Sequence, residues 1–119
     1  MTRKKVYICH SSKYDYVNKI YNPIKSSKFM ETYDFVFPHD GDVVNTKDII
    51  SNADLVIVDI SGATFGQGIE IGWADAAGVD ILCIYKKGME KRRSIQLLTD
   101  KFIEYNDSHD LISKLEEYL

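Results

Sequence analysis

Apolar residues along this chain fall into short β-rich runs separated by stretches of helical spacing. Val6-Tyr7-Ile8-Cys9 predicts a first buried strand. Tyr14, Val17, Ile20, Tyr21 and Ile24 then recur at helical spacing and predict a helix over about 13–28, which Pro23 kinks or divides. Tyr33 to Phe37 predicts a second strand closed by Pro38, and the loop His39-Asp40-Gly41-Asp42 leads to a short helix at about 46–52. Asp54 to Ile60 carries the clearest strand signal on the chain. A helix from about Gly66 to Ala77 follows, and Gly78 supplies its stop. Val79 to Tyr85 predicts a fourth strand, Ser94 to Leu98 a helical turn, and Lys101 to Tyr105 a short fifth strand. Asp107 to Leu119 predicts a last helix, capped by Asp107 or Ser108.

Continuous apolar strands alternating with helices are the signature of a parallel sheet covered on both faces. The expected architecture is α/β: a three-layer α/β/α sandwich with a five-stranded parallel sheet, flavodoxin- or Rossmann-like, forming a single domain over 1–119. Ligands of such sheets bind beyond the carboxyl ends of the strands, where the strand order reverses. This rule nominates the loops at 10–13, 38–42, 61–68 and 86–94. The polar residues gather in these same loops: Ser11 and Lys13 in the first, His39 and Asp42 in the second, Asp59 and Thr64 around the third, Ser94 at the end of the fourth.

The most informative stretch is 64–74, Thr-Phe-Gly-Gln-Gly-Ile-Glu-Ile-Gly-Trp-Ala, which follows the third strand. A glycine-rich turn feeding a helix brings backbone N–H groups close to an anion. Glu70 is the only charged residue of that stretch, and a place in the first helical turn would favour its ionised form through the helix dipole. The segment is therefore expected to set a phosphate cradle, with Gly66 and Gly68 in it, beside an ionised nucleophile, a pairing suited to a nucleotide. Asp59, costly to bury unpaired, is expected to reach the crevice rather than cap the following loop.

Composition narrows the partners. Fifteen basic against eighteen acidic side chains among 119 residues leave a net charge of −3, against a general nucleic-acid binder. Hydrophobic residues make up 45%, as in a packed globular protein. Cys9 and Cys83 fall in buried strands outside any metal-ligand cluster and read as reduced core thiols. His10, His39 and His109 lack metal-like spacing, so no metal and no cofactor are expected. The basic start at 1–5 precedes an apolar run too short for a signal peptide, and no stretch approaches membrane-spanning length. A cytoplasmic protein with no membrane partner is expected.

On these residues the chain resembles the nucleoside 2-deoxyribosyltransferase superfamily, and within it most closely the 2'-deoxynucleoside 5'-phosphate N-hydrolases. The resemblance spans about 5–119. Its strongest piece is Ala53-Asp54, an apolar strand, then Gly66-x-Gly68-x-Glu70-x-Gly72-x-Ala74. It implies a nucleotide-cleaving enzyme with Glu70 as the nucleophile that attacks the anomeric carbon. Tyr7 matches an active-site tyrosine that packs against the sugar or holds the glutamate. Ser11 and Thr64 match phosphate-binding positions, Lys13 stands where the hydrolases carry arginine, and His39 lies near the base pocket with Asp42. Ser94 matches a serine delivered by the second subunit of a homodimer. One position departs: an aspartate that assists the reacting sugar corresponds by spacing to Thr46. Asp48, Asp42 or Asp59 then takes its place, or the chemistry is altered or lost. The expected reaction is cleavage of the N-glycosidic bond of 2'-deoxynucleoside 5'-monophosphates. Base exchange by a deoxyribosyltransferase, hydrolysis of ribonucleotides or NAD-like dinucleotides, and a catalytically silent nucleotide-binding or sensing module are the alternatives.

Overall fold

A computed structural model describes residues 3–11, 15–38, 45–61, 65–89 and 94–119. Its centre is a five-stranded parallel sheet: β1 (Lys5–Cys9), β2 (Asp34–Val36), β3 (Leu55–Asp59), β4 (Asp80–Lys86) and β5 (Phe102–Tyr105), in the spatial order β2-β1-β3-β4-β5. The order reverses at β1, where Tyr7 pairs with Val36 of β2 on one side and Val56 of β3 on the other. Helices cover both faces, which is why the inner strands read as unbroken apolar runs.

The two-residue alternation of the strands sorts the core into two layers. Val6, Ile8, Ile57, Leu82, Ile84 and Tyr105 face one side, against Ile20, Tyr21 and Ile24 and against Leu111 and Leu115 of α5 (Ser108–Tyr118). Tyr7, Cys9, Val56, Val58, Ile81, Cys83 and Tyr85 face the other, against Ile50 of α3 (Lys47–Ser51) and Ala74 of α4 (Phe65–Ala76). The three-layer sandwich expected from the alternating pattern is the architecture observed.

The first helical segment differs in detail from the single helix expected. A π-turn, Val17–Tyr21, closes with the Asn22 N–H on the Val17 carbonyl and runs into α1 (Asn22–Lys25), with Pro23 in its first turn. Proline donates no hydrogen bond, and its ring clashes with the carbonyl four residues back. The wider π spacing just before Pro23 accommodates both effects. A short α2 (Phe29–Thr32), which no periodicity announced, follows. Ser27 shapes the turn, donating from Oγ to the Ile24 carbonyl at 2.6 Å and accepting from the Phe29 N–H at 3.3 Å. Elsewhere the expected ends hold. Gly78 takes φ +72° just beyond α4, and Asp107 caps α5 by accepting the Asp110 N–H at 2.8 Å. No helix among the described residues is long and apolar enough to cross a membrane.

Candidate active site

β1, the residue before α3 and the second turn of α4 converge on one carboxylate. Tyr7 points up from β1, fully buried, and its phenol donates to Glu70 Oε2 at 2.5 Å. Thr46, leading into α3, donates its hydroxyl to the same oxygen at 2.7 Å. Glu70 is half-buried, and its Oε1 accepts no O–H or N–H donor among the described residues. Burial above all, then the hydrogen bond to Glu70 and the charge of Glu70, push the Tyr7 phenol far above its usual range. Tyr7 therefore stays a donor. Cys9, buried beneath the same carboxylate, has its thiol pushed well up by burial and then by Glu70, so it stays protonated as well. The site is an anchored carboxylate above a phenol and a thiol whose ionisation burial and Glu70 both oppose.

This support differs from the one expected. The first turn of α4 carries no acidic residue, and Glu70 lies in the second. The helix dipole acts mainly within the first turn. Two hydroxyl donors, one from a strand 63 positions away and one from a position 24 away, hold the carboxylate instead.

The other expected site residues divide. Asp48 is exposed on α3 and faces a groove with Lys5, Asp34 and Asp54 at the amino ends of the strands, away from Glu70. Its proposed role beside the sugar is corrected on that ground: two residues along a helix point in different directions. Asp59 is also corrected. By strand alternation it faces the layer opposite Tyr7 and Cys9, at 1% exposure. Its Oδ1 accepts the Ser61 N–H at 2.8 Å and its Oδ2 the Tyr105 hydroxyl at 2.6 Å, while its carbonyl accepts the Gln67 side-chain amide. It caps the loop after β3 and ties β3 to β5. Burial outweighs these hydrogen bonds and raises its carboxyl above the usual range.

Ser11 is fully buried at the tip of β1. Beside it, His10 stacks on Tyr16 with ring centres 4.1 Å apart. Its Nδ1 lies 3.1 Å from the Ser11 carbonyl and its Nε2 2.7 Å from the Tyr21 hydroxyl. The Ser11 carbonyl only accepts, so Nδ1 carries the proton of that contact. Gly66 and Gly68 are exposed on α4, and a Cβ at either position meets nothing within 4 Å. Close packing of helix on sheet is therefore not what they provide. Ser94 is exposed ahead of the 3₁₀ turn Ile95–Leu97 and makes no side-chain cap. Lys13, His39, Asp42 and Thr64 lie outside the described residues.

Sequence reasoning missed one partner of Glu70. Thr46 read as the loss of an aspartate that assists the sugar, whereas its hydroxyl reaches the Glu70 carboxylate. The signal was present in the spacing from Asp54. What was overlooked is that a hydroxyl at that point can donate.

Strand order 2-1-3-4-5 with helices on both faces defines a flavodoxin-like doubly wound domain, and the anchored carboxylate stands over its switch-point strand. Among solved structures the chain is similar to the CMP N-glycosidase BcmB of Clostridium botulinum. The two share 23% identity over 98% of this chain and 100% of that one, with a TM-score of 0.75. It is more distantly similar to a putative pilus assembly-related protein of Burkholderia pseudomallei, at 9% identity over 96% of this chain and 87% of that one, with a TM-score of 0.52. Both likenesses are likenesses of fold. No protein-family profile and no curated protein sequence matches the chain.

Proposed function

We propose that this protein is an enzyme that cleaves the N-glycosidic bond of 2'-deoxynucleoside 5'-monophosphates, with Glu70 as its nucleophile. The observation that carries this reading is the Glu70 carboxylate, held through Oε2 by Tyr7 and Thr46, with Oε1 left to react. The resemblance to the 2'-deoxynucleoside 5'-phosphate N-hydrolases supports it, as does the fold shared with a protein described as a CMP N-glycosidase.

Breaking the bond develops positive charge on the sugar, which a carboxylate below the ring stabilises and then traps. A lone pair of Glu70 Oε1 forms the bond to C1'. The electrons of the C1'–N bond leave with the base, which takes up a proton. Water then adds to C1', the ester bond to Glu70 breaks, and the proton that the water loses balances the one the base gained. The products are free base and deoxyribose 5-phosphate. Ser11, Lys13, Thr64 and the backbone at Gly66 and Gly68 are assigned to the phosphate, and His39 and Asp42 to the base. Ser94 is assigned to the phosphate in the site of a second copy, so the working unit is a homodimer. Asp48 and Asp59 have no part in the reaction.

The CMP named for the similar glycosidase favours a second reading, a ribonucleotide substrate. Chromatography of free base released from each deoxynucleoside and ribonucleoside monophosphate separates the two. A second free base in the mixture reports exchange, which would make the protein a transferase. Glu70→Gln is expected to reduce base release by at least about 10³-fold, the scale on which losing a catalytic nucleophile is felt. Its far-UV circular dichroism should be unchanged. Base release surviving in that variant removes Glu70 from the chemistry.

A further inference from the structure

Thr46 forgoes the usual work of its position. A threonine ahead of a helix normally turns its hydroxyl oxygen back to accept an N–H of the first turn. Thr46 makes no such cap, and Asn45 Oδ1 accepts the Lys47 N–H at 3.0 Å instead. The Thr46 hydroxyl goes to Glu70 Oε2, which already accepts the Tyr7 phenol. A carboxylate oxygen offers two lone-pair sites. Oε2 is therefore filled from within the protein, and Oε1 accepts no O–H or N–H donor among the described residues.

We propose that Thr46 is a positioning residue that also sets sugar specificity: by filling Glu70 Oε2, the oxygen that does not attack, it denies that acceptor to a ribose 2'-hydroxyl, and so favours 2'-deoxyribose. This rests on the reading of Glu70 as nucleophile. The base of a nucleoside projects from one face of the sugar, so a displacing carboxylate approaches C1' from the other. A ribose 2'-hydroxyl lies on that approached face, next to C1'. In retaining glycosidases hydrogen bonds to the neighbouring hydroxyl strengthen in the transition state. Here one lone pair of Oε1 goes into the bond forming at C1', and Oε2, the oxygen that does not attack, has none left. A ribonucleotide must displace one of the two protein donors or leave its hydroxyl unsatisfied. An unmade hydrogen bond of this kind corresponds to roughly a 5- to 100-fold loss in rate.

The test is kcat/KM for one deoxynucleoside monophosphate and its ribonucleotide counterpart, in the wild type, Thr46→Val and Thr46→Ser. Valine keeps the shape and removes the donor, whereas serine keeps the donor. The ratio of deoxynucleotide to ribonucleotide kcat/KM is expected to fall about tenfold in Thr46→Val. Thr46→Ser should hold the wild-type ratio. With the deoxynucleotide, the loss in Thr46→Val should appear in kcat, with KM little changed. A Thr46→Val variant that slows both substrates equally, or a wild type that prefers the ribonucleotide, overturns the proposal. If Thr46→Val does not fold, Tyr7→Phe frees the other lone pair of Oε2 and must shift the ratio in the same direction. Failure of the underlying reading looks different: Glu70→Gln remains active, or the wild type releases no base from any nucleotide.

Discussion

Asp59 ends β3 and Glu70 lies in α4, and their neighbours give the two carboxylates different tasks. Glu70 meets two hydroxyls on one oxygen, and the other accepts no O–H or N–H donor among the described residues. Asp59 has both oxygens engaged and is closed off from solvent. Because burial raises the Asp59 carboxyl above its usual range, folding favours the neutral acid. That contribution to stability is complete below the unfolded value of about 3.9 and is lost as the pH rises through the raised folded value. Asp59→Asn, neutral at every pH, does not lose it. Relative to wild type, Asp59→Asn is expected to gain stability as the pH rises above about 4 in urea titrations, and to retain base release. A difference in stability that stays flat as the pH rises would mean that folding does not raise the Asp59 carboxyl, and a loss of activity as deep as that of Glu70→Gln would return Asp59 to the reaction.

At the scale of elements, α4 carries a cost it could shed. Gly72 sits in the middle of this helix, exposed, with nothing within 4 Å of where a Cβ would stand. Glycine there is less favourable than alanine by about 1 kcal/mol. Gly72→Ala is expected to raise Tm by roughly 4 °C with activity kept, as read by differential scanning calorimetry. A fall in Tm would mean that another surface packs on that face of α4. The elements also show what local pattern conveys. The sheet strands and α4 were legible because burial on both faces, or a clear stop such as Gly78, writes itself into adjacent residues. The division of the first helical segment was legible only as a warning at Pro23. A π-turn is a backbone response to the proline ring and leaves no hydrophobic period of its own. α2 is four residues long and depends on Phe29 reaching the core.

Across the whole molecule, the apolar surface beyond β4 stands out. Leu97 is 85% exposed on the same short turn as Ser94, with Leu98 and Met89 also exposed. A second copy covering these side chains would remove apolar area from water. The homodimer proposed above places a second copy there. Sedimentation velocity at micromolar concentration is expected to give a dimer, Leu97→Asp to give a monomer, and the monomer to lose base release because Ser94 no longer reaches its partner's site. A wild type that sediments as a monomer while fully active would separate Ser94 from the reaction.

The layered parallel sheet, its five strands and the glutamate in its glycine-rich frame were determined by the chain itself, because hydrophobic period and turn chemistry are properties of neighbouring residues. What surrounds that glutamate was decided only by the tertiary structure. Tyr7 and Thr46 meet Glu70 because β1, α3 and α4 pack on one face of the sheet, while Asp59 is turned to the other. Side-chain contacts between elements far apart in the chain depend on which layer each side chain enters, and no local pattern carries that information.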